Sequence, residues 1–186
     1  MKGLSVTEAV ATLQAGGVIA YPTEAVWGLG CDPRQRSSVE RLLRIKQRPV
    51  EKGVIVVASK LEVLADWLNL TALPTPRLRA VLASWPGPNT WILPASTHAP
   101  EWITGRHCGI AVRLSAHPQV RALCQAWMAP LVSTSANLSG RRPARTRSEL
   151  DPALLGELDG LLDGDTSGLA QPTPIHDALT GEILRD

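Results

Sequence analysis

The chain of 186 residues contains no phenylalanine and a single tyrosine, Tyr21. Several of its six tryptophans fall at apolar helix positions, which argues against a platform for stacking single-stranded bases. Three cysteines, Cys31, Cys108 and Cys124, form no CxxC pair and have no histidines at metal spacing. That pattern supports neither a disulfide framework nor a zinc site, and reads as reduced, mostly structural thiols. The longest apolar run, Val54 to Ala58, is far short of a membrane span, and the N-terminus lacks the basic-then-apolar signature of a signal peptide. A cytoplasmic protein without membrane attachment is expected. The common nucleotide loops are also missing: there is no GxxxxGK[ST], and Gly28-Leu29-Gly30 lacks the third glycine of a dinucleotide fingerprint. Nor is there a GxSxG elbow or an HExxH pair among the four histidines, so serine-hydrolase and zinc-hydrolase chemistry have no support.

With 44% hydrophobic residues, the chain can bury one substantial core, and a single domain over 1–186 is expected. The net charge of +2 is small, but its distribution is uneven. Seven of the nineteen bases lie in residues 34–52 and seven more in 106–147, whereas residues 149–186 carry nine acids and only Arg185 as a base. Either an electropositive face or a set of solvated helix arginines follows from this segregation.

Hydrophobic spacing predicts interleaved helices and strands. Ser5 with Glu8 has the form of a capping box before Val6, Ala9, Val10 and Leu13, and Ser37 with Glu40 and Ser59 with Glu62 repeat it. Thr146 with Glu149 predicts a further short helix, and Pro76 and Pro118 open two more. Strands are expected at Val18 to Tyr21, Val54 to Ala58, Trp91 to Leu93, Ile110 to Leu114 and Leu131 to Thr134, with short ones near 160–162 and 182–185. The class is therefore α/β, and the proline-rich stretches 86–100 and 172–174 argue for a mixed sheet.

Four stretches carry candidate chemistry. Ser133 to Gly140 places hydroxyls, an amide and a glycine at the end of an apolar strand, with Ser133 and Ser135 facing one way and Thr134 the other. This is either an anion site or a polar strand end closed by an Asx turn at Asn137. Lys46, Arg48 and Lys52 flank Pro49 at a helix end, where three cations on a short loop could neutralise a triphosphate. Tyr21-Pro22-Thr23-Glu24 leads into Gly28-Leu29-Gly30, as a strand-to-helix turn or as backbone that approaches a ligand. Arg113 ends an apolar strand, where it needs an anionic partner: a ligand or a structural carboxylate.

Those segments, together with Pro86 to Thr90, resemble in order and spacing the YrdC-like family, over Val18 to Leu184. The resemblance implies a twisted mixed sheet with flanking helices around a deep basic groove. It also implies a nucleotidyl transfer in tRNA processing: L-threonine, bicarbonate and ATP give threonylcarbamoyl-AMP and pyrophosphate, for modification beside the tRNA anticodon. By that resemblance Lys46, Arg48 and Lys52 hold the ATP phosphates and carry catalysis, while Thr90, Ser133, Ser135, Asn137 and Arg142 complete the ATP site. Thr23 and Arg113 bind threonine or its carbamate. Magnesium arrives with ATP, without a protein metal site, and the product passes to tRNA threonylcarbamoyl-transferase machinery. Trp27 and Gly53 depart from the family pattern, which has a smaller aromatic and often proline there. Pro174 and His176 alter another segment, so Thr173 receives no role. The family offers two alternatives: a non-catalytic RNA-binding or ribosome-maturation module touching tRNA or double-stranded RNA, and a hydrogenase-maturation carbamoyltransferase, whose zinc-finger segments have no counterpart here.

Overall fold

The first capping box forms as the sequence predicts. In the computed structural model, which describes residues 3–185, Ser5 accepts from the Glu8 N–H at 3.3 Å and the Glu8 carboxylate accepts from the Ser5 N–H at 2.8 Å, opening α1 (Val6–Gln14). The other helices are α2 (Arg36–Lys46), α3 (Thr75–Ala83), α4 (Glu101–Thr104), α5 (Pro118–Trp127) and α6 (Pro152–Gly156). The strands are β1 (Gly3–Leu4), β2 (Ile19–Pro22), β3 (Trp27–Gly30), β4 (Ile55–Ala58), β5 (Thr90–Pro94), β6 (Gly109–Leu114), β7 (Leu131–Ser135), β8 (Gly160–Leu162), β9 (Ile175–Asp177) and β10 (Ile183–Arg185). All ten form one sheet in the order β1-β8-β2-β3-β7-β4-β6-β5-β9-β10, with parallel and antiparallel pairs intermixed.

Several local expectations are corrected. Ser37 does not cap α2: an Asp32 turn, accepting from the Arg34 N–H at 3.0 Å and the Gln35 N–H at 3.2 Å, starts the helix earlier at Gln35. Glu40 is thereby left to pair with Arg36 at 2.7 Å, one turn away. Residues 61–67 form a 3-10 helix with no side-chain cap from Ser59. Thr146 turns to Ser148 while Glu149 accepts from the Arg145 N–H, leaving only a single 3-10 turn. The segment after Tyr21 is a hairpin rather than a strand-to-helix turn. Thr23 bonds Val26 through both its amide and its hydroxyl, and β2 pairs antiparallel with β3.

The sheet is packed on both faces. Ile19, Tyr21, Val57 and Leu131 point to one face and meet Ala9 and Leu13 of α1 and Val120, Leu123 and Cys124 of α5. Ala20, Trp27, Leu29, Val56, Val112 and Val132 point to the other and pack with Val39, Leu42 and Leu43 of α2. This alternation is the period-2 signature of strands buried on both sides. α1 and α5 cover only part of the first face, and the site occupies the rest.

Gly30 shows why the Gly28-Leu29-Gly30 run is needed. A Cβ at Gly30 would lie 2.6 Å from the Tyr21 ring and 2.6 Å from the Val132 carbonyl, which itself accepts from the Tyr21 hydroxyl at 3.0 Å. The glycine makes room for a buried aromatic, not for a ligand. Gly30→Ala is expected to lower stability by about 1–3 kcal/mol through overpacking, measured as a reduced midpoint in urea without a change of slope.

Candidate active site

Strand register builds the floor of a cavity. Ser133 of β7 lies opposite Ile55 of β4, Ile55 opposite Ala111 of β6, and Ala111 opposite Ile92 of β5, so one row crosses four strands on a single face. Adjacent rows add Ser135 opposite Gly28, and Arg113 opposite Val57. Because side chains alternate, Ser133 and Ser135 share this face, as the sequence predicts. The walls come from parts of the segments 46–54, 103–107, 137–143 and 172–175 and from Arg185, around about 370 Å³, within the range of small-molecule sites.

Among the described residues, five cationic ones line this cavity, Lys46, Arg48, Lys52, Arg113 and Arg185, and no Asp or Glu does. Lys46, the last residue of α2, is 4% exposed, and its ammonium faces four oxygens within 3.2 Å: the Ser135 carbonyl and hydroxyl, the Asn137 carbonyl and Asn137 Oδ1. Asn137 Nδ2 in turn donates to the carbonyls of Leu138 and Arg141, so one lysine and one amide hold the turn after β7. Burial, and then the neighbouring Arg48 charge, pulls the Lys46 pKa down to about 8.

Arg48 is half-buried and donates to the Gly53 carbonyl at 3.0 Å through Nη2. Burial lowers its pKa as well. Gly53 has φ +61, and a Cβ there would lie 2.8 Å from the Thr104 carbonyl. Proline, fixed near −65°, cannot take this conformation, which accounts for glycine at that position. Lys52 is exposed at the rim. Arg185 is exposed along its length while its head donates to the Thr173 carbonyl at 2.9 Å. Partial burial of that head, followed by the like charges of Arg113 and Arg48, lowers its pKa.

Arg113 is buried and donates through Nη1 to Thr173 Oγ1 at 2.6 Å, with Glu24 Oε2 3.7 Å from Nη2. A structural carboxylate thus stands beside it, yet Arg113 still lines the cavity and its Nε has no partner. Thr23 also lines the cavity. Its hydroxyl proton is committed to the Val26 carbonyl at 2.6 Å, so it offers a ligand only its oxygen lone pairs.

Two expected residues are not brought to the cavity. Thr90 is fully buried on β5 and is not among the lining residues. Arg142 is exposed and also outside the lining, where Gly140 and Pro143 approach instead. Ser139 lines it, within the expected Ser133 to Gly140 stretch, and Thr173, Arg185 and His107 do so without having been expected. Arg185 carries a legible signal, as the one base in an acidic C-terminal stretch. Thr173 sits between two prolines that fix its backbone.

No group of three or more His, Cys, Asp or Glu side chains suited to a metal occurs among the described residues, and no helix is long and apolar enough to cross a membrane. A cavity floored by a mixed sheet and lined by five cations, only one of which has a carboxylate behind it among the described residues, has the electrostatics to receive a polyanion on an α/β scaffold. The Sua5/YciO/YrdC family model, described as "Telomere recombination", matches residues 11–186, and the chain belongs to that family. A threonylcarbamoyl-AMP synthase of Xanthomonas campestris pv. campestris (strain B100) is 70% identical over 178 residues, covering 96% of this chain and 95% of the relative. The structure of E. coli YciO superposes with a TM-score of 0.79 at 25% identity, covering 97% of this chain and 90% of that one. P. abyssi Sua5, solved in complex with L-threonine, gives 0.84 at 27% identity over 92% of this chain. The chain spans only about half, 50%, of that longer protein.

Inorganic triphosphate is expected to bind more weakly as pH rises from 7 to 9. A lysine with a pKa of about 8 in the free protein is mostly charged at the start of that range and mostly neutral at its end. Measured against Lys46→Gln, which should bind weakly and report the ligand's own titration, the loss should reach at most about tenfold; calorimetric titration across pH measures both.

Proposed function

We propose that the protein is a threonylcarbamoyl-AMP synthase, which joins L-threonine, bicarbonate and ATP and releases pyrophosphate. The product would be the activated intermediate for threonylcarbamoyladenosine beside the tRNA anticodon, passed on to transferase machinery in the cytoplasm. The observation that carries this reading is the lining of five cations, with no carboxylate among the described lining residues, suited to a triphosphate beside a second anion. The name of the 70%-identical relative and the threonine complex of P. abyssi Sua5 support the same substrates.

The chemistry asks for positioning and charge. The threonine amine first adds to bicarbonate with loss of water, giving a carbamate. A carbamate oxygen then attacks the α-phosphorus, a P–O bond forms, and the bond to the β-phosphate breaks. Two anions must be held together while negative charge moves to the leaving pyrophosphate, which is electrostatic work and requires no covalent nucleophile. Arg48 and Lys52 are suited to the β- and γ-phosphates, and Ser133, Ser135 and Asn137 to the nucleotide. Arg113 is suited to the carboxylate of threonine, with Thr23 accepting from its nitrogen or hydroxyl. Lys46 contributes charge, but its protons already face the turn it holds, so its first role is to keep Ser135 and Asn137 in place.

Magnesium does not fit a protein-held site in this cavity. The lining supplies hydroxyls, amides and cations, and a hard divalent ion prefers carboxylate oxygen and water. The ion would therefore travel on the ATP phosphates. The ten strands of one sheet support reading the chain as a single functional domain, because β7, β4, β6 and β5 contribute to one floor.

Pyrophosphate release from ATP is expected to require both threonine and bicarbonate, and release that ignores threonine overturns the proposal. Arg48→Ala should slow release by about a hundredfold or more, the scale of losing one donor to developing charge. Salt-sensitive RNA binding without turnover would instead favour the RNA-binding module.

A further inference from the structure

Behind the Arg113 wall lies a buried polar cluster that the proposed reaction does not use. Glu24 sits in the β2–β3 turn, next to Thr23, and is 6% exposed. Its Oε1 accepts from the Ser115 hydroxyl at 2.7 Å. That hydroxyl has its direction fixed, because its oxygen also accepts from the His117 N–H at 3.1 Å, leaving its proton for Glu24. Oε2 has no hydrogen-bond partner and lies 3.7 Å from Arg113 Nη2. Arg113 is bonded at Nη1 to Thr173 and is unpartnered at Nε.

Burying two opposite charges is costly unless their hydrogen bonds are complete, and here each is only half satisfied. Such a pair is a poor stabilising device. It does, however, suit a guanidinium that must be held in one orientation at the cavity wall and keep donors for an incoming ligand. Thr173 holds one edge, Glu24 supplies a counter-charge just beyond hydrogen-bond reach, and Ser115 stops the carboxylate from swinging closer.

We propose that Glu24, oriented by Ser115, is a positioning residue that keeps the Arg113 guanidinium aimed into the cavity, and so sets recognition of the carboxylate-bearing co-substrate. This rests on the reading of Arg113 as the partner of the threonine carboxylate. Glu24 itself does not line the cavity, so it acts through the arginine and not by touching the substrate.

The test compares wild type, Glu24→Gln and Ser115→Ala in pyrophosphate release. Affinities for L-threonine and L-threoninamide, which lacks the carboxylate charge, are measured alongside. Glu24→Gln keeps the acceptor for Ser115 and removes only the charge. It should raise the KM for threonine about tenfold, the equivalent of 1.4 kcal/mol, while the KM for ATP stays within about twofold. The preference for threonine over threoninamide should shrink by a similar factor. Ser115→Ala should move the same two quantities by roughly threefold, within the worth of one hydrogen bond, and carries the test if Glu24→Gln does not fold. Equal losses for threonine and ATP, or an unchanged preference over threoninamide, overturn the proposal. Wild-type release that is indifferent to threonine would instead sink the parent reading, so the two failures are distinguishable.

Discussion

Like charges gathered around one small cavity repel each other, and the whole site depends on how this protein anchors them without cancelling them. Lys46 is held by carbonyl, hydroxyl and amide oxygens, Arg48 by the Gly53 carbonyl, and Arg185 by the Thr173 carbonyl. Neutral oxygens fix the positions of the cations and leave their charge available. The lowered pKa values of Lys46, Arg48 and Arg185 are the mark of that arrangement: burial disfavours the charged form of all three, and repulsion from neighbouring cations adds to it at Lys46 and Arg185. A polyanionic ligand relieves the repulsion when it binds, which makes the empty state electrostatically uneasy and the filled state favourable. Among the described residues, Arg113 is the one cavity cation with a carboxylate partner, and even there the separation stops short of a hydrogen bond.

The scaffold supports this by dividing one face of the sheet between core and cavity. Where α1 and α5 lie, Ile19, Tyr21, Val57 and Leu131 are dry and closely packed. Beyond them the same strands turn polar: Leu131 is followed on its face by Ser133 and Ser135, and Val57 is paired across β6 with Arg113. The Tyr21 ring, seated against Gly30 and bonded to the Val132 carbonyl, stands at the boundary between them. Rigid strands therefore present the floor residues, and only the walls come from loops, a division that gives the site a fixed base and adaptable edges.

Much of this was legible in the sequence. Apolar runs marked the five main strands, a true capping box marked α1, and the hydroxyl-rich end of β7 lies on the cavity floor. The misses have physical causes. Sequence spacing could not tell Ser37 from a cap, because the Asp32 turn that starts α2 depends on a side chain bonding two residues ahead. The strand β3 was hidden because two of its four residues are glycines, which carry no hydrophobic signal: Gly30 makes room for the Tyr21 ring and Gly28 lines the cavity. Thr90 and Arg142 were placed by resemblance, and the fold buries one and leaves the other outside the lining. Thr173 and Arg185 reach the site through β9 and β10, at the far edge of the sheet from β2. Such non-local pairings leave little trace along the chain.

The row from Ser133 through Ile55 and Ala111 to Ile92 gives the site an all-or-none character. Strand side chains repeat every second residue, so displacing β7 by one position would turn the Val132 side chain to the cavity and that of Ser133 into the hydrophobic layer. Point substitutions on the floor change the site by degrees, but a single inserted or deleted residue inside β7 changes its parity. For this protein, tolerance to length change is therefore expected to collapse at the strands flanking the floor while persisting in the loops around it. The site is encoded as a phase as much as a set of residues.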